Sequence, residues 1–290
     1  MKNKRLFSIL IFIFAMSYSL LRGQEIKEIQ SIEDSLQNHF AALINAKFDS
    51  ERTIINARIV ELFDQVLSNR ESFDYQFDNL ENISKLKASD GQVRIINWNL
   101  PKENGEYLYY AYIQYLDIKS EKLKLFKLQD RSDKLEEPEF KELDMDNWFG
   151  ALYYFIVAVQ SGEKTFYTLL GWDGNNNFTN RKIVECFYIK GDKLVLGPAV
   201  FKMEKGLQNR LIFEFAKQAK MMLRYDDKLE MIVWDHLAPS HKKFEGQFMY
   251  YGPDLSQDGI KFTDGYWLLK PNLDLRNMEE STGKSIKKSY

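Results

Sequence analysis

Arg210-Leu-Ile-Phe-Glu-Phe215 sets Leu211, Phe213 and Phe215 on one side of an extended chain and Arg210, Ile212 and Glu214 on the other. The same period of two runs through Leu229, Met231 and Val233 around Glu230, and through Leu123 and Leu125 between Lys122 and Lys124. Each run predicts a strand with one buried and one wetter face, as antiparallel sheets have. Between the runs lie residues suited to tight hairpins: Ser161-Gly162, Asp173-Gly174, Lys190-Gly191-Asp192 and Tyr225-Asp226-Asp227. Counting such signals gives roughly eleven strands between residues 91 and 270. That is too many for a flat open sheet, so the meander is expected to form a curled sheet, a barrel or a sandwich. Propeller-like blades fit less well, because Asp-Gly recurs at residues 90, 173, 258 and 264 without repeating its flanks. The charged stretch from Arg131 to Asp146, with Pro138 inside it, predicts a long surface loop.

Upstream the period changes to that of a helix. Ile29, Ile32, Leu36, Phe40 and Leu43 step by three or four, and Ile55, Ile59, Leu62 and Val66 repeat the spacing. Asp49-Ser50 between them offers an N-cap, since a short side-chain oxygen can accept from free amides of the first turn. The class expected is α+β, an N-terminal helical hairpin followed by a long antiparallel β meander. Its divisions are a leader over 1–23, a helical region over 24–89, a β domain over 90–277 and a frayed tail over 278–290.

The leader is read from Lys2, Lys4 and Arg5, followed by an apolar-rich run from Leu6 to Leu21 and then by Ser17, Ser19 and Gly23 as small residues near a cleavage point. Basic tip, apolar centre and small-residue end is the plan of a secretory signal peptide. The run falls short of the about 20 apolar residues that span a bilayer, so removal is favoured over anchoring. Cleavage is expected after Ser19 or Gly23, and no membrane span is expected once the leader is gone. The chain is therefore expected to be exported, to a periplasmic or extracellular destination. Removing the four basic residues of 1–23 lowers the 40 Lys and Arg to 36 against 42 acids, a net charge of −6. That balance lacks the basic face nucleic acid requires. The lone Cys186 cannot form an intrachain disulfide; it shares a strand face with Val184 and Tyr188, beside Glu185, which suits a structural thiol and not a nucleophile.

Three places could carry chemistry. Asp235-His236, with His241 five residues on, is the one combination that suggests acid–base work. If the strand from Leu229 continues, however, Asp235 and His236 point to opposite faces. His236 then shares its face with Ile232 and Trp234, while His241 follows Pro239-Ser240 in a loop. Asp254, Ser256 and Asp258, followed by Gly259, match the opening of a calcium loop, with oxygens at alternate positions. Position twelve is Gly265 where a glutamate should stand, and an Asp-rich turn explains the residues as well. Asp173, Asn175 and Asn177 repeat the spacing with Phe178 in the glycine position, so there a turn is expected. No other cofactor is expected. Tyr107, Tyr109 and Tyr115 fall on one face of a strand and Tyr110 and Tyr112 on the other, which argues for packing over a single stacking platform.

Four segments resemble a family of secreted proteins from Bacteroidota with no assigned activity. They are Val93-Arg-Ile-Ile-Asn-Trp-Asn-Leu100; Leu170-Gly-Trp-Asp-Gly-Asn-Asn176 with Thr179-Asn-Arg-Lys182; Trp234-Asp-His-Leu-Ala-Pro239; and Tyr251-Gly-Pro-Asp-Leu-Ser256. The resemblance covers roughly residues 70 to 277 and implies a Gram-negative cell and export. It implies no catalytic residue. The function expected is that of a non-catalytic binding or envelope-structural module whose partner is an envelope component or a glycan. The alternative is an envelope-associated hydrolase using Asp235, His236 or His241 with nearby carboxylates.

Overall fold

The computed structural model describes residues 2–273, with side chains from Arg22 onward. The expected tail at 278–290 lies outside the described residues, and the leader lies almost wholly outside the described side chains. Helix α1 spans Lys2–Asn45 and α2 spans Asp49–Leu67. The strands are β1 (Ser84–Lys87), β2 (Val93–Pro101), β3 (Tyr107–Asp117), β4 (Lys122–Gln129), β5 (Leu152–Ser161), β6 (Lys164–Asp173), β7 (Thr179–Lys190) and β8 (Lys193–Leu196). After these come β9 (Phe201–Met203), β10 (Gly206–Gln208), β11 (Arg210–Ala216), β12 (Leu223–Asp226), β13 (Met231–Pro239), β14 (Tyr251–Thr263) and β15 (Tyr266–Lys270). The chain is α+β, as its periodicities require. The strands beyond the eleven expected are short pieces such as β9 and β10, too brief for alternation to reveal.

One compact unit runs, in its described part, to Ile83 and takes in Gln92–Arg94 and Ile113–Leu125. Its helices meet along the predicted stripes: Ile29, Ile32, Leu36, Phe40 and Leu43 of α1 are buried, as are Ile59, Leu62 and Val66 of α2. The strand segments join this unit through buried polar anchors. Arg94 donates to the carbonyls of Ser72 and Phe73, and Gln114 donates to the carbonyl of Leu67 and to Ser72 Oγ. Asp49 is not the N-cap of α2. Phe48 occupies that position without a side-chain bond, while Asp49 and Glu51 lie in the first turn. Glu51 reaches back to accept from the Lys47 amide at 3.1 Å, placing an acid at the positive end of the helix instead.

The second unit holds Ser84–Gly91, Ile95–Tyr112 and the chain from Phe126 onward. The strands divide into three sheets: β1-β2-β3-β4, the path β11-β7-β6-β5 with β8 beside β7, and β10-β9-β15-β14-β13-β12. None closes into a barrel. All but one of the pairings with a resolved register are antiparallel, the exception being β15 with β9. The second and third sheets pack face to face. Their shared core takes Phe166, Leu170, Val184, Cys186, Leu211 and Phe215 from one and Phe201, Leu223, Ile232, Trp234, Ile260 and Trp267 from the other. Trp267 Nε1 donates across the interior to Thr168 Oγ1 at 3.0 Å, satisfying a buried indole donor. The meander thus resolves as a sandwich, with the return strand β11 laid beside β7.

Of the strands read by alternation, two depart clearly from the one-wet-face expectation. Ile232 and Trp234 of β13 enter the sandwich core, yet Met231 and Val233, on the opposite face, are buried as well. The opening stretch is more telling. On β11, Leu211 and Phe215 face the core as predicted, but Arg210 on the other face is fully buried against Glu185, its cross-strand partner on β7. Arg210 Nε donates to Glu185 Oε2 at 2.9 Å, and its Nη1 donates to the carbonyls of Pro138 and Lys141. The loop predicted at 131–146 is therefore pinned to the sheet by a side chain that alternation assigns to water.

Candidate functional site

His236 and Asp258 come together, and the strands explain why. Trp234 on β13 pairs with Asp258 on β14, and the register slips between Asp235 and Leu237, which brings His236 alongside Asp258. His236 Nδ1 donates to Asp258 Oδ2 at 2.7 Å, while Asp258 Oδ1 accepts from the Asn272 amide at 3.0 Å. The hydrogen bond to Asp258 raises the His236 pKa above the ordinary histidine range, and its charge, with those of Asp254 and Glu204, adds to that rise. The imidazole is half exposed. A histidine favoured in its charged form is a poor general base near neutral pH.

The remaining sequence candidates are held elsewhere. Asp235 accepts from the Met222 amide at 2.8 Å and from Gln257 Nε2 at 3.1 Å. His241 accepts from the Lys243 amide and opens a short helical turn at Lys242–Phe244. Asp254 Oδ1 accepts from both the amide and the hydroxyl of Ser256, a local turn that lowers the Asp254 pKa. The segment 254–259 lies inside β14 and forms no free calcium-type loop, with Leu255 at positive φ and almost wholly exposed. Among the described residues no group of three or more His, Cys, Asp or Glu is arranged to hold a metal ion. Asp173 likewise serves a turn, accepting from the Asn175 amide and from Tyr109 Oη at 2.9 Å. Its pKa is raised by burial. The tyrosines pack: Tyr110 and Tyr112 both stack on Trp98, and Tyr107 stacks on Tyr109.

Cys186 is completely buried in the sandwich core, and burial pushes its thiol pKa well up. It is an inert thiol.

Two of the concavities among the described residues lie on the six-stranded sheet. The smaller, about 480 Å³, runs between the end of β13 and the start of β14, with Pro239, Tyr250, Tyr251 and Asp254 in its wall. The larger, about 670 Å³, is framed by the β9–β10 hairpin and the β14–β15 turn. Met203, Leu207, Tyr266 and Leu268 give it apolar walls, with Lys202, Glu204 and Asp264 as charged groups. Its rows follow from register: Leu207 pairs with Lys202 and Lys202 with Leu268. Leu207 and Tyr266 are each 43% exposed. That volume lies in the range of small-ligand sites, and apolar walls with a few polar groups are their usual make-up. Sequence reading missed these residues. The signals were Lys205-Gly206 and Asp264-Gly265, two turn dipeptides on strands too distant in sequence to be paired by pattern.

No protein family, curated protein or solved structure matches this chain.

Proposed function

We propose that this chain is an exported protein of a Gram-negative envelope that binds, without catalysis, a glycan or other envelope component in the 670 Å³ cleft. The observation that carries the reading is that cleft itself: an exposed tyrosine and leucine over apolar walls, with both signs of charge among its lining residues. A sugar ring stacks on such an aromatic face while its hydroxyls meet charged groups. Export rests on the basic, apolar and small-residue order of residues 1–23, and the Bacteroidota likeness supports it. Sequencing the N-terminus of protein recovered from cells tests export: a start after Ser19 or Gly23 supports it, and a start at Met1 refutes it.

One observation favours a second reading, a hydrolase built on the His236–Asp258 pair. Among the described residues no serine, threonine or cysteine side chain bonds to His236, so this reading would need water or a carboxylate as its nucleophile. Release of soluble sugar from envelope polysaccharide, lost in His236→Gln, would replace the binding reading with the hydrolytic one.

A further inference from the structure

The connection between β13 and β14 reads Ser240-His-Lys-Lys-Phe-Glu-Gly-Gln-Phe-Met-Tyr250. Two short helical turns, Lys242–Phe244 and Phe248–Tyr250, flank Gly246, whose φ of 79° lets the chain fold back between them. The fold-back stacks Phe244 on Tyr250, with ring centres 4.0 Å apart and planes 19° from parallel. Phe248 tilts against Tyr251, whose hydroxyl accepts from the Gly246 amide at 2.9 Å. The Ser240 amide donates to the Tyr250 carbonyl and closes the loop at its base. Both tyrosine rings are therefore fixed in place, which spares a ligand the cost of ordering them.

Phe244 covers one face of Tyr250, yet the ring is still 37% exposed and lines the 480 Å³ concavity. Its open side thus presents the negative face of a π-system to that space. The stack already holds one cation, since Lys243 Nζ is 4.8 Å from the centre of the Phe244 ring. Among the described residues, Asp254 alone in the wall of the concavity carries charge. Its Oδ1 accepts from the amide and hydroxyl of Ser256, which keeps the carboxylate ionised. No lysine or arginine among the described residues forms an ion pair with it. An aromatic face, apolar neighbours and an uncompensated carboxylate around one space select positive charge.

We infer that this smaller concavity is a binding site for a small organic ammonium ion, free in solution. The ammonium meets the open face of Tyr250 and the Asp254 carboxylate, and its alkyl substituents lie against Met249 and Pro239. An anion is disfavoured, because no basic side chain among the described residues lines the wall. The site does not depend on what the larger cleft binds, and the two share no lining residue.

The test is ligand-observed NMR of the full chain with choline and with the neutral alcohol of the same shape, in which carbon replaces the charged nitrogen. The choline methyl signal should broaden saturably on binding, and less at high salt. The alcohol should bind about tenfold more weakly or worse, because it lacks both the cation–π contact and the charge for Asp254. Tyr250→Phe keeps the ring face and should bind choline as the native protein does. Tyr250→Leu and, separately, Asp254→Asn should each weaken choline about fivefold or more. No broadening of choline, equal binding of choline and the alcohol, or Tyr250→Leu affinity within about twofold of native would overturn the inference. Should Tyr250→Leu fail to fold, the comparison of choline with the alcohol on the native protein decides.

Discussion

Replacing Arg210 by methionine should destabilise the sandwich unit by about 4 kcal/mol, within the range for breaking a buried ion pair. The magnitude follows from what the change leaves behind. Glu185 is completely buried and bonded through both carboxylate oxygens to Arg210, at 2.9 and 3.3 Å. Without the guanidinium, the carboxyl must take a proton at pH 7, and for a group of ordinary pKa about 4.3 that alone costs about 3.7 kcal/mol. The Pro138 and Lys141 carbonyls also lose their donor, each worth about 1 kcal/mol, partly offset because the methionine stem keeps the packing. Gly197 offers no relief: a Cβ there would lie 2.3 Å from Arg210 Nη2, so the backbone already approaches the guanidinium closely.

All five tryptophans lie in the sandwich-bearing unit, so their emission follows its unfolding alone. With a urea dependence of about 2 kcal/mol per molar, the midpoint should fall by about 2 M. The gap should narrow toward pH 4. A carboxyl whose folded pKa is raised contributes stability below its unfolded pKa and loses it as the pH rises toward the folded one. The double variant Glu185→Leu with Arg210→Met should recover most of the loss, since no unpaired charge remains. A midpoint shift under 0.5 M for Arg210→Met, about 1 kcal/mol at that slope, would refute the reasoning. So would a double variant no better than the single one.

Two further outcomes follow from the geometry. Cys186 should resist a thiol reagent in the folded protein and react only at the rate of unfolding, because it is wholly buried and its pKa is raised; fast labelling of native protein would contradict this. His236 should titrate above the ordinary histidine range by NMR, and Asp258→Asn should bring it back down. The sign is that of a raised base: the pair supports the fold fully below about pH 6.5 and loses that support as the pH rises through the higher folded value. Half exposure keeps the effect on stability small.

The α+β class was legible because helix and strand periods differ and each persisted over several turns or hairpins. The helical stripes of α1 and α2 and the core side of β11 stand where their spacing puts them. Arg210 was read as facing water because alternation sees one strand at a time, yet it is buried together with Glu185. Their burial depends on Pro138 and Lys141, some seventy residues from Arg210. His236 meets Asp258 only through a slip in register between β13 and β14, which no periodicity encodes. The larger cleft was invisible for a similar reason. It joins the three-residue strands β9 and β10 to the β14–β15 turn, about sixty residues away.

The most direct measurement is co-sedimentation of the full chain with insoluble Gram-negative envelope polysaccharide, comparing the native protein with Tyr266→Ala and Leu207→Ala. Both side chains are 43% exposed, so the substitutions should leave folding intact. Binding in the cleft predicts that native protein pellets with the polysaccharide, that each variant stays largely in solution, and that no sugar is released. Undiminished pelleting of both variants, or native protein that never pellets, would contradict it.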